Sequence, residues 1–112
     1  MDRQRYISVP KNKEAMEAYD LGEERPEEMV EWKLTEDEFN ILYNCGVFHQ
    51  LNEECSVLID DFESEVIDVK WLNTAEVVTL KLKDCVNNKE IERLYDLILE
   101  AIKNQTLIAF DF

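Results

Sequence analysis

The residues best suited to nucleophilic chemistry are the single histidine, His49, and three cysteines, Cys45, Cys55 and Cys85. Cys45 and His49 are four residues apart, so on a helix they would share a face and could act as a thiolate and its general base. No catalytic sequence signature surrounds this pair. We therefore interpret His49 as a polar residue near a helix start and Cys45 as a core residue. The sequence predicts no catalytic residues and no enzymatic activity.

The same four side chains match a Cys₃His zinc site in number and type. Their spacing lacks a C-x₂-C pair, which presents two thiolates on one turn in most structural zinc sites. The acidic stretch 60–65 lacks the central glycine and the distant carboxylate of a calcium-binding EF-hand loop. With only Gly22 and Gly46, the chain has no glycine-rich phosphate loop. We expect neither a metal ion nor a cofactor.

The net charge is the strongest signal in the sequence. There are 26 Asp and Glu residues against 12 Lys and Arg residues, which gives a formal charge of −14. Such a surface repels phosphate, so direct binding to nucleic acid or to an anionic membrane is unfavourable. It attracts a basic protein and accelerates the encounter with it. Solubility alone is the other explanation for the charge.

Two acidic clusters are candidates for binding a protein partner, and a tryptophan lies beside each of them. An aromatic anchor surrounded by charge is common at protein interfaces. The alternative is that Trp32 and Trp71 belong to the core and that the carboxylates form a solvated face. The first cluster comprises Glu23, Glu24, Glu27, Glu28 and Glu31. The predicted partner-binding residues come from the second and are Asp60, Asp61, Glu63, Glu65, Asp68 and Trp71.

The length of 112 residues fits a single domain, 1–112. Two glycines and two prolines are too few for a turn-rich β-sandwich. We predict strands at 5–9 and 106–112, and an acidic connector at 21–34 inside the domain. The expected fold is α+β, a mainly helical domain with a small sheet formed by the N- and C-terminal strands.

Helices are predicted between these strands. Thr35 and Glu38 form a capping box, which starts a helix that Gly46 ends. A second helix covers 47–55, and its apolar spacing also allows one continuous helix as far as residue 68.

Three further helical segments are predicted outside that region. A short one covers 12–19 with Asn12 as its cap. For 74–86 the spacing fits both a helix and a strand, and we choose a helix capped by Asn73. The clearest helical stripe lies in 89–104.

No apolar run near the start resembles a signal peptide, and none approaches the roughly 18 residues of a membrane span. We therefore expect a cytoplasmic protein that makes no membrane contact. In a reducing compartment we expect the three cysteines to be buried thiols. The oligomeric state is left open, although the terminal strand could pair with another chain if its edge is unprotected.

Four segments have a recognisable pattern: EWKLTEDEF at 31–39, GVFHQLN at 46–52, IDDFESEVI at 59–67 and TLIAFDF at 106–112. From about residue 34 to the C-terminus the chain resembles small acidic immunity proteins of bacterial polymorphic-toxin and contact-dependent growth inhibition systems. The resemblance implies a cognate toxin C-terminal domain as the partner, often a basic nuclease, which the protein would neutralise. It assigns no binding residue.

The acidic residues at 60–65 could occupy arginine and lysine sites that otherwise hold substrate phosphates. This supports an immunity protein that inhibits a toxin through an acidic surface. The alternatives are a phage-type acidic inhibitor or nucleic-acid mimic, or an acidic protein-interaction module with another role. In each case the partner is a protein and not nucleic acid.

Overall fold

The first and last strands of the domain lie side by side in the middle of a four-stranded antiparallel sheet. The computed structural model describes residues 4–112. Strand β1 (Arg5–Pro10) pairs with β4 (Ile108–Asp111), with Ile7 opposite Phe110. The predicted α+β fold and the pairing of the terminal strands are therefore confirmed.

The two outer strands were not predicted. The strand order is β2-β1-β4-β3, with β2 at Met29–Leu34 and β3 at Ser64–Ile67. The prediction of a connector at 21–34 is therefore wrong for its second half, which forms β2. Trp32 of this strand pairs opposite Ile7. In β2 the apolar residues at 30, 32 and 34 alternate with Glu31 and Lys33, which is strand spacing hidden by the surrounding glutamates. A 3₁₀ turn at Pro26–Glu28 leads into this strand.

The predicted helix starts are confirmed in the first half of the chain. Asn12 caps α1 (Lys13–Asp20) by accepting a hydrogen bond from the backbone N–H of Ala15. The Thr35 capping box starts α2 (Glu36–Asn44). Gly46 follows with a φ of 87°, a left-handed conformation that glycine adopts without steric cost. The chain then turns directly into α3 (Val47–Cys55).

A continuous helix from 47 to 68 is wrong, because α3 ends at Cys55 and Ser56 adopts a left-handed conformation. The Asn52 side chain accepts a hydrogen bond from the Ile59 N–H at 2.6 Å and donates one to the Ile59 carbonyl at 3.0 Å. These bonds fold the chain back toward the sheet, where Val66 of β3 pairs opposite Ala109. The helical spacing of the apolar residues at 62, 66 and 69 was therefore coincidental.

The second half of the chain contains the two longest helices. Residues 74–86 are helical as predicted, within α4 (Leu72–Cys85). Asn73 does not cap this helix, because a 3₁₀ turn at Val69–Trp71 leads straight into it. The helix α5 (Lys89–Asn104) confirms the predicted stripe, and the Asn88 side chain caps it.

The main core lies between one face of the sheet and the helices α2 to α5. Ile7, Trp32 and Phe110 project into it from the strands, and Leu51 and Ile98 project into it from the helices. The opposite face is covered by α1, whose Tyr19 hydroxyl lies 3.3 Å from both carboxylate oxygens of Asp111. No helix in residues 4–112 is long and apolar enough to cross a membrane.

Candidate protein-binding face

Negative charge is concentrated in the middle third of the chain. The segment 34–69 contains ten acidic residues and no Lys or Arg, so it carries most of the net charge of −14. Its acidic residues are Glu36, Asp37, Glu38, Glu53, Glu54, Asp60, Asp61, Glu63, Glu65 and Asp68.

Arg5 from β1 joins two parts of this segment. Its guanidinium lies 3.0 Å from Asp61 and 2.7 Å from Glu36, and the side chain is only 8% exposed. The guanidinium carbon also lies 4.1 Å from the centroid of the Phe39 ring. The hydrogen bond with Asp61 raises the pKa of Arg5, so the residue is charged at any physiological pH. The connector 56–63 is thereby held against the start of α2.

A groove with a volume of about 600 Å³ opens beside this connector. The buried side chains of Phe48 and Ile59 line it, together with the exposed side chains of Tyr43 and Leu58. We call it the acidic groove because three carboxylates also line it. They belong to Asp60, Glu63 and Glu65.

Two large apolar side chains project from the connector. Leu58 and Phe62 are each 76% exposed. Phe62 has a φ of 69°, which is uncommon for a residue with a bulky side chain, and its N–H donates to the Asp61 carboxylate. Exposed apolar residues within a ring of charge are the usual composition of an interface centre.

The predicted partner-binding residues have different structural roles. Asp60 and Glu63 are exposed beside the groove. Asp61 is the ion-pair partner of Arg5. The two carboxylate oxygens of Glu65 accept hydrogen bonds from the backbone N–H groups of Leu58 and Val66, each at 2.9 Å. Asp61 and Glu65 therefore hold the connector in shape.

The other two predicted residues do not line the groove. Asp68 caps the 3₁₀ turn by accepting a hydrogen bond from the Lys70 N–H. Trp71 is half-buried against the core, and the Lys70 ammonium lies 5.3 Å from the centroid of its ring. The Trp71 carbonyl accepts a hydrogen bond from Cys55 at the far end of α3, whereas the groove is lined by Phe48, His49 and Asn52.

The tryptophan beside the acidic cluster at 23–31 is buried and is not available as an anchor. Trp32 is 2% exposed, and its indole N–H donates to Glu38. The Arg93 guanidinium carbon lies 4.6 Å from the centroid of the indole ring. The interpretation of Trp32 as a core residue is therefore confirmed.

Sequence reasoning missed Tyr43, Leu58 and Glu36 as parts of this face. Glu36 lies in the first turn of α2, where an acidic side chain is favourable with or without a role in binding. Leu58 lies between Val57 and Ile59, and no periodic pattern marks it as the exposed member of the three. The one local sequence signal in this region was the four-residue spacing of His49 and Glu53, which predicts contact on one face of a helix. Their side chains approach to 3.2 Å.

Of the three cysteines, Cys45 is partly buried, Cys55 is buried and Cys85 is exposed, so the expectation of buried thiols is wrong for Cys85. The Cys45 thiol donates to the Leu42 carbonyl, and burial raises its pKa. Burial also raises the pKa of Cys55 to about 11, so its thiol is protonated at neutral pH. Within the described part of the chain, no three His, Cys, Asp or Glu side chains converge in a way that could hold a metal ion.

The fold is shared with a protein of known structure. The chain superposes on the Neisseria DNA mimic protein DMP12 with a TM-score of 0.68 and 17% sequence identity, over 98% of this chain and 100% of that chain. No protein-family model matches the sequence, and no curated protein matches it. At this identity the similarity shows a common fold.

Proposed function

We propose that the protein binds a basic nucleic-acid-binding protein at the surface that would otherwise hold DNA. The observation that carries this proposal is the segment 34–69, which contains ten carboxylates and no Lys or Arg. A DNA-binding surface is rich in Lys and Arg because it neutralises phosphates. Carboxylates at the surface of a rigid domain can make the same charge-assisted hydrogen bonds.

The common fold supports this function over the other acidic binding roles. The superposed protein is a DNA mimic, and the superposition covers both chains almost completely. On this proposal the protein acts by binding, with no chemical step. The exposed carboxylates of the segment 34–69, which we call the acidic face, would steer it toward the partner, so the association rate would fall as salt is added.

An immunity protein is the second candidate, supported by the sequence resemblance described above. The same face could occupy the nucleic-acid site of a basic toxin nuclease. The two candidates differ in what the partner does. A toxin partner would cleave nucleic acid and lose that activity on binding, whereas the partner of a DNA mimic would lose DNA binding whether or not it is a nuclease.

The test begins with immobilised protein and the DNA-cellulose-binding fraction of a nuclease-treated bacterial extract. A DNA mimic should retain a basic protein that short duplex DNA elutes, since duplex and mimic compete for one site. The captured protein is then mixed with a fluorescent duplex, and anisotropy reports displacement of the duplex. Nuclease assays on the captured protein then test the second candidate, because a partner without nuclease activity would rule out the immunity of a toxin nuclease.

A charge-matched pair of variants tests whether the acidic face is responsible. Neutralising four carboxylates on the face should slow association by about tenfold or more at low salt. Neutralising four exposed carboxylates elsewhere should have a much smaller effect. The face variant is D37N/E53Q/D60N/E63Q, and the control is E14Q/E17Q/E92Q/D96N.

Two results would contradict the proposal. One is a ternary complex, in which the captured protein holds DNA and the acidic protein together. The other is an equal loss of binding in the face variant and in its control, which would show that net charge matters and position does not.

A further inference from the structure

The acidic groove combines an aromatic wall, an aliphatic wall and carboxylates. Tyr43 is 50% exposed and Leu58 is 76% exposed, so both offer apolar surface to a ligand. Asp60 and Glu63 provide exposed carboxylates on the same groove. Its volume of about 600 Å³ is within the range of pockets that enclose a ligand or an inserted side chain.

Such a surface suits a guanidinium group. A guanidinium is planar, stacks on aromatic rings and pairs with a carboxylate through two parallel hydrogen bonds, whereas an ammonium is a strongly hydrated point charge. The methylene stem of an arginine also packs well on leucine.

The protein already holds its own arginines in this way. Arg5 lies over Phe39 at 4.1 Å while pairing with Asp61 and Glu36. Arg93 lies over Trp32 at 4.6 Å. Both intramolecular contacts place a guanidinium over an aromatic ring, one at the exposed Arg93 and one at the buried Arg5, and the Arg5 contact adds carboxylates as the groove does.

Charge complementarity identifies the source of the occupant. Among the groove-lining residues only His49 can become a cation, and its Nε2 lies 3.2 Å from the Glu53 carboxylate. No Lys or Arg of the segment 34–69 is available to fill the groove. A basic partner supplies arginines at the surface with which it contacts DNA phosphates.

We propose that the acidic groove receives an arginine side chain of the partner protein, an inference that rests on the proposed function. The guanidinium pairs with Asp60 and Glu63 and stacks on Tyr43, and its stem packs on Leu58. The groove therefore makes the protein selective for arginine-bearing surfaces over equally charged lysine-bearing ones.

The test uses oligoarginine and oligolysine peptides of equal length as probes of isotopically labelled protein in NMR titrations. The arginine peptide should bind about five- to tenfold more tightly, because it adds stacking and bidentate pairing to the shared charge attraction. The largest chemical-shift changes caused by the arginine peptide should lie at the backbone amides of His49, Asn52 and residues 58–65.

A pair of variants separates groove binding from general attraction. Y43A/L58A removes both exposed walls, so it should weaken binding of the arginine peptide more than that of the lysine peptide and narrow the difference to what bidentate pairing alone supplies. The control L21A/L80A removes two leucines that are 73% and 40% exposed outside the groove, and it should preserve the difference. All four side chains are exposed, so both variants should retain the wild-type fold, which their spectra check.

Equal affinity for the two peptides would overturn this inference, as would an arginine preference of the same size in Y43A/L58A as in the wild-type protein. Either result leaves the proposed function standing, because charge attraction to the acidic face remains. A failure of DNA competition in the capture experiment would remove the proposed function, and the peptide titrations would still report arginine selectivity on their own.

Discussion

The guanidinium of Arg5 pairs with the carboxylate of Asp61 through two parallel hydrogen bonds, Nε to Oδ1 at 3.0 Å and Nη2 to Oδ2 at 3.1 Å. The two residues are 56 positions apart in the chain. The contact ties the connector 56–63 to the centre of the sheet. A binding surface held in this way needs little ordering when a partner arrives, which favours affinity.

Replacing Arg5 with alanine should destabilise the fold by about 2–4 kcal/mol, because Asp61 and Glu36 would lose the cation between them. Urea unfolding monitored by circular dichroism measures the loss. Arg25 is exposed, so Arg25→Ala serves as the control. A similar loss in both variants would show that the Arg5 contacts contribute little. A lysine at position 5 should recover only part of the stability, since it cannot form the paired hydrogen bonds.

Thr35→Ala should lower the free energy of unfolding by about 1 kcal/mol, because the Glu38 N–H would lose its hydrogen-bond acceptor at the start of α2. Thermal unfolding measures the change. Thr35→Ser keeps the hydroxyl and should retain most of the stability. If serine is as damaging as alanine, the methyl group of Thr35 and not the cap is the source of the effect.

Glu38 should make the fold less stable in acid. Burial raises the pKa of its carboxyl, but hydrogen bonds from Thr35 and Trp32 outweigh burial and hold that pKa below the ordinary value of 4.5. A lowered pKa in the folded state gives stability that is present above the unfolded-state pKa and is lost as the pH falls through the folded-state pKa.

The variant Glu38→Gln isolates this contribution, since glutamine can still accept the hydrogen bond from the Thr35 N–H. The wild-type protein should have the higher melting temperature at neutral pH. The difference between the two proteins should shrink below pH 4.5. A difference that stays constant or grows in acid would contradict the lowered pKa.

Leu51→Ala should lower the free energy of unfolding by about 2–5 kcal/mol, because it opens a cavity in the core. Leu51 is 0% exposed. The matched variant Leu58→Ala removes the same atoms from a side chain that is 76% exposed and should change stability by about 0.5 kcal/mol or less. Chemical denaturation compares them. A large loss at Leu58 would mean that it packs in the fold and is not available to a partner.

Short-range sequence signals were sufficient to predict most of the helices. The capping residues Asn12 and Thr35, the glycine at position 46 and the apolar stripe of 89–104 act over a few residues, so they can be read without the rest of the chain. The terminal strands were also recognised. Their pairing could also be predicted, because the segments between them were predicted to be helical and left no other strand as a partner.

The outer strands could not be predicted from such signals. Strand β3 has four residues, and its apolar spacing fits a helix as well as a strand. Its conformation depends on the bonds between Asn52 and Ile59 and on pairing with β4. Strand β2 depends in the same way on pairing with β1. Contacts between residues distant in sequence overrode weak local preference in both cases.

The total charge of the candidate binding face follows from composition, and so does the expectation of a basic partner. Which carboxylates are exposed to that partner depends on the assembled fold. Asp60 and Glu63 are exposed at the acidic groove, whereas Asp61 is held by Arg5 and Glu65 by two backbone N–H groups. Adjacent acidic residues look alike in the sequence. Folding assigns them different roles because different donors reach them: Asp61 pairs with Arg5 from a distant part of the chain, Glu65 accepts from the Leu58 N–H, and Asp60 accepts from the N–H of the adjacent Asp61.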